Sequence, residues 1–163
     1  SYLASLGVEI HSIDSNDEII ANGNKLSQGM GWNMLSYHMD MRKLDFPNGF
    51  FDHAYSICVF EHLDFKVKQL ALEEIARCLK PEGILSITFD YKNPAPDVYP
   101  QGPDLRYENQ LKTLEDIKRS FLSTQCFELI GNNEFFDNGK TYLVNYKFNN
   151  HPYTFGSIFL QRK

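Results

Sequence analysis

A chain of 163 residues fits one domain, and its 42% apolar and 14% aromatic content is that of a globular protein. The net charge of -5 leaves no basic block able to neutralise a run of phosphates, which argues against nucleic acid as a general partner. Cys58, Cys78 and Cys126 are odd in number and lack C-x-x-C spacing, so neither a disulfide framework nor a zinc site is indicated and a reducing cytoplasm is expected. No apolar run approaches the ~18 residues of a membrane span.

The opening SYLASLG reads as the last turns of a helix closed by Gly7, where the absence of a Cβ permits a left-handed stop. Val8 to Ile13 follows as a short strand. Residues 16 to 28 carry Ile19, Ile20 and Leu26 at helical spacing, with Ser15 or Asn16 as the cap. NMLSYHMD is the next strand, ahead of a turn at Pro47, Asn48 and Gly49. FDHAYSICVF is too apolar to alternate, so burial on both faces is expected, as in a parallel sheet.

From Phe65 to Leu79 a helix is expected, its apolar stripe made of Val67, Leu70, Ala71, Ile75, Cys78 and Leu79, its cap Asp64 and its surface pair Glu73 with Arg77. KPEG suits a type I turn with Pro81 second and Gly83 fourth, and ILSITFDY is another strand. Strand, helix, strand in that order calls for a parallel sheet with crossover helices. Residues 92 to 111 hold four prolines and no period, as a lid or binding loop would. TLEDIKRSFL reads as a helix capped by Thr113, CFELIG as a strand, Asp137, Asn138 and Gly139 as a hairpin-like turn, and YTFGSIFL as a final strand.

With DMRKLDFPNGFFD and then LKPEG in this order, residues 8 to 90 resemble the class I S-adenosylmethionine-dependent methyltransferases of small-molecule type. The resemblance implies an α/β, Rossmann-like sheet, mostly parallel, with one antiparallel strand near the C-terminus that YTFGSIFL would fill. It also places the family's first strand and glycine-rich loop before Ser1, so the chain alone is expected to bind the cofactor weakly. Glu82 stands where the family usually has glycine, a change of little weight in type I geometry. The implied activity is methyl transfer from S-adenosylmethionine to a small-molecule acceptor, with no metal required.

Asp14, at a strand end, could accept both hydroxyls of a ribose or cap the next helix; the resemblance favours the ribose. The resemblance also sets Asp40 on the adenine amino group, with the backbone of Met41 beside the ring. Glu61 and His62 follow the strand at the sheet's carboxyl edge, where ligands gather, so this candidate catalytic pair is expected to face the cofactor's methyl group or the acceptor; His62 could remove an acceptor's proton or simply brace the loop. Asp90 and Tyr91 end the next strand and are candidates for acceptor contact. Tyr99, Arg106 and Tyr107 could line the lid. His11, His38, His53 and His151 share no metal spacing and read as structural. Rival readings are a nicotinamide-dependent dehydrogenase fragment, which leaves Asp40 unexplained, and a domain that only binds or assembles.

Overall fold

The computed structural model describes residues 2–91, 111, 113–131, 135–136, 144–145 and 152–163. These fall into two compact units, Ser1–Asp45 and Phe46–Lys163. No described helix is long and apolar enough to cross a membrane.

In the first unit, α1 (Tyr2–Ser5) is stopped as expected at Gly7, whose φ is 86° and whose amide donates to the Ala4 carbonyl at 3.0 Å. Strands β1 (Ile10–Asp14) and β2 (Met34–His38) pair in parallel, with Ser12 opposite Ser36. Parallel neighbours need a crossover, and α2 (Asp17–Met30) supplies it. Asn16 caps this helix by accepting from the amides of Glu18 and Ile19, and Gly31 closes it at φ 67°. The seam between helix and strands is polar. The Ser12 hydroxyl donates to Ser36 Oγ at 2.8 Å. The Asn24 side chain donates to the Ser36 carbonyl at 3.0 Å and accepts from its amide at 2.8 Å.

In the second unit, β3 (Phe51–Ile57) pairs in parallel with β4 (Leu79–Tyr91). A 3-10 turn (Phe60–His62) and α3 (Phe65–Cys78) connect them. The C-terminal β7 (Pro152–Arg162) runs antiparallel to β4, and β5 (Phe127–Leu129) and β6 (Val144–Asn145) pair with it in turn. The order β3-β4-β7-β5 therefore begins parallel and ends with the antiparallel insertion expected of YTFGSIFL. Helix α4 (Leu114–Leu122) starts at a capping box: Thr113 accepts from the Asp116 amide while the Asp116 carboxylate accepts from that of Thr113. Phe121 on α4 meets Phe60 and Phe89, each with ring centroids 5.6 Å away, amid buried Leu72, Leu85 and Leu160. Gly156, opposite Phe89 on β7, leaves room for the Phe89 ring, since a Cβ there would lie 2.3 Å from it.

Several local expectations change. Strand β3 is not buried on both faces: Tyr55 is 59% and Ile57 72% exposed. An apolar run records what a strand can bury, not what covers it. KPEG forms no separate turn but bulges within β4, where the register passes from Phe51 opposite Leu79 to His53 opposite Ile84. Glu82 in that bulge has φ 63°, so the glycine usual at this position would be the unstrained choice. On α3, Asp64 holds the cap position without a capping bond, and the buried stripe is rotated: Leu70 is 41% exposed and Lys68 only 2%. Arg77 pairs with Glu74 at 2.7 Å instead of Glu73, because its guanidinium also reaches the Phe46 carbonyl and Asn48 on that side.

Candidate active site

Candidate residues of the first unit lie at the carboxyl ends of its two parallel strands. Asp14 ends β1 half-buried, and its Oδ1 accepts from the Asn16 amide at 2.8 Å. The cap of α2 is Asn16, so Asp14 supports the capping residue and keeps carboxylate lone pairs for a ligand. Beyond β2 the chain turns tightly, with the Lys43 amide donating to the Asp40 carbonyl at 2.9 Å and Met41 within the turn. Arg42 was not foreseen. Its amide and its guanidinium Nε both donate to the Asp40 carboxylate, and these charge-assisted bonds hold the Asp40 pKa down to about 2. Sequence gave no signal for an ion pair two residues apart, since such neighbours meet only across a turn.

In the second unit the site is built at the ends of β3 and β4. The chain leaves β3 through Cys58, at φ 52°, whose amide donates to the Thr88 carbonyl at 2.9 Å. Buried Phe60 then anchors the 3-10 turn in the aromatic core, which fixes where its neighbours point. Glu61 turns inward and is 2% exposed, whereas His62 is exposed. One Glu61 oxygen, Oε1, accepts from the Asp90 amide at 3.0 Å, so the two strand ends are tied together. The other, Oε2, is buried with no hydrogen-bond partner. Burial pushes the Glu61 carboxyl above the ordinary range, against the lowering effect of the Asp90 amide. The Cys58 thiol is also pushed up, first by burial, with the Glu61 and Asp90 carboxylates adding to it.

Cys58 Sγ and carboxylate oxygens of Glu61 and Asp90 all lie within 4.8 Å of one another. Of this trio Cys58 was missed, because a lone cysteine in an apolar strand reads as packing. Tyr91 is buried at the end of β4 and bridges to Leu111. Buried Lys68 was missed as well. Its ammonium is held down to about pKa 8 by desolvation, opposed by Asp116, Glu61 and Asp64. The histidines of the first unit serve local contacts, His11 with the Tyr37 hydroxyl at 3.0 Å and His38 with Asp17 at 2.7 Å. Tyr99, Arg106, Tyr107, most of the loop at 92 to 111 and the turn at 137 to 139 lie outside the described residues.

A family model described as a methyltransferase domain matches residues 1–87. Among solved structures, the cyclase SpnF is similar over 80% of this chain at 23% identity and a TM-score of 0.64, and the chain spans 46% of that protein's length. A SAM-dependent methyltransferase from Methanosarcina mazei is similar over 99% of this chain and 85% of its own, with 17% identity and a TM-score of 0.66. The geranyl diphosphate C-methyltransferase from Streptomyces coelicolor A3(2), solved with magnesium, geranyl diphosphate and S-adenosyl-L-homocysteine, is similar over 96% of this chain and 63% of its own, at 13% identity and a TM-score of 0.67. No curated protein sequence matches the chain significantly.

Proposed function

From the premise that the chain belongs to the methyltransferase-domain family of class I S-adenosylmethionine-dependent proteins, we propose that it takes part in methyl transfer from S-adenosylmethionine to a small-molecule acceptor. The observation that carries this reading is the family match over residues 1–87, which takes in Asp14, Asp40, Met41, Glu61 and His62. Fold alone would not suffice, since one similar structure bears a cyclase name.

The donor and acceptor set suits the cofactor. Asp14 is a strand-end carboxylate with lone pairs for ribose hydroxyls, and Asp40 is kept ionised by Arg42, as an acceptor for an adenine amino group must be. The backbone of Met41 sits in the same turn. When bound, S-adenosylmethionine supplies a methyl group on a sulfonium, already a good leaving group. The chain's residues then have three tasks: to orient the acceptor, to keep water away, and to take a proton if the acceptor must lose one. Glu61 is tied to Asp90 and holds the two strand ends, with Asp90 and Tyr91 on the acceptor side. Exposed His62 is the proton acceptor in this scheme. Tyr99, Arg106 and Tyr107 are proposed for the acceptor as part of the proline-rich loop.

Calorimetry with S-adenosylmethionine on the natural polypeptide that contains these 163 residues tests the reading. Asp14→Ala should weaken binding by about 1.5 to 3 kcal/mol, the range for a lost charge-assisted hydrogen bond. Equal binding by wild type and Asp14→Ala would remove Asp14 from the cofactor site.

A further inference from the structure

We propose that Cys58, Glu61 and Asp90 form a divalent-cation site of zinc-like preference at the carboxyl ends of β3 and β4. The three side chains converge from the residue after β3, the 3-10 turn that follows it and the end of β4, with Sγ and one carboxylate oxygen from each acid within 4.8 Å of one another. Ligand atoms about 2.0 to 2.3 Å from a tetrahedral metal sit roughly 3.3 to 3.8 Å apart, so closing the site asks for side-chain rotation of about an ångström. The second observation is Glu61 Oε2, on a side chain only 2% exposed and without a hydrogen-bond partner. A buried, unbonded carboxylate oxygen is costly, and a cation satisfies it.

The site is already partly organised. Glu61 Oε1 accepts from the Asp90 amide, which fixes the carboxylate plane and ties one ligand to the backbone of another. Among the described residues, His62 and Lys68 are positive side chains that act near Glu61, and the Lys68 charge is shared among Glu61, Asp64 and Asp116. A thiolate beside two carboxylates favours zinc over magnesium, which prefers oxygen alone. Such mixed sets from strand ends have no local sequence spacing, which is why cysteine spacing does not reveal this one. Three protein ligands also leave a fourth position for water or an acceptor oxygen. The proposal rests on these three side chains and does not depend on the methyl-transfer reading.

Titrating the same natural polypeptide with Co²⁺ and with Zn²⁺ tests it. One equivalent of Co²⁺ should produce thiolate-to-metal charge-transfer absorption, displaced by Zn²⁺. Cys58→Ser should abolish that band, while Cys78→Ser and Cys126→Ser retain it. Glu61→Gln, which can still accept from the Asp90 amide, should lower Zn²⁺ affinity at least about tenfold, and Asp90→Asn likewise. No band in the wild type, a band persisting in Cys58→Ser, or unchanged Zn²⁺ affinity in both carboxylate variants with unaltered melting would overturn the site.

Discussion

The two units hold their parallel strands together by different means. In residues 1–45 the strands share the Ser12–Ser36 bond and the helix meets β2 through Asn24, and among the described residues Ala4 and Ser27 are the buried ones. In residues 46–163 the corresponding contact is apolar, with Phe60, Phe89, Phe121, Leu72 and Leu160 out of water. Burial supplies a large, non-directional stabilisation, whereas each hydrogen bond adds about 1 kcal/mol net and demands correct geometry. The backbone differs too. Among the described residues, positive φ in the first unit falls on Gly7 and Gly31, but in the second it falls also on Cys58, Glu82 and Gln125. The unit with the larger core tolerates the more strained backbone.

The contrast can be broken by three substitutions. Phe121→Ala should have the largest effect, a loss of about 3 to 5 kcal/mol in urea unfolding, because it empties the space between Phe60 and Phe89. A loss under about 1 kcal/mol would mean that the aromatic cluster does not hold the second unit. Asn24→Ala should cost less, about 1 to 3 kcal/mol, since it strands the amide and carbonyl of Ser36. Hydrogen exchange at Ser36 reports it directly: an amide that exchanges no faster in the variant would deny the polar seam its role. Glu82→Gly should have the smallest effect and the opposite sign, a gain of up to about 1 kcal/mol from relieving φ 63°. A lower melting temperature in that variant would show that the Glu82 side chain contributes more than its backbone strain removes.

The element order was legible because it rests on local patterns: the Asn16 cap, the Thr113 box and the Gly7 stop each occupy a few adjacent residues. The candidate site was legible only as strand ends. The bond from the Asp90 amide to Glu61 joins residues 29 apart, and periodicity carries no information about such meetings. Lys68 and Leu70 show the same limit within one helix. Both lie near the edge of the apolar stripe, and a lysine stem can pack like an aliphatic chain, so the pattern fixed the stripe only to within a residue or two. Glu82 was misjudged because the turn expected at KPEG is absorbed into a bulged strand, where the needed dihedral changes sign.

A strand displays its own backbone as a template on which another chain can build, and the usual protections are charge, proline or a covering helix. At Ser36 the protection is a single side chain. The primary amide of Asn24 presents one donor and one acceptor at peptide-like spacing, so α2 lays a counterfeit peptide unit against β2. An intruding strand, including one from a second copy, would have to displace that amide before it could pair at Ser36. The residue therefore guards against misassembly as well as holding its helix in place.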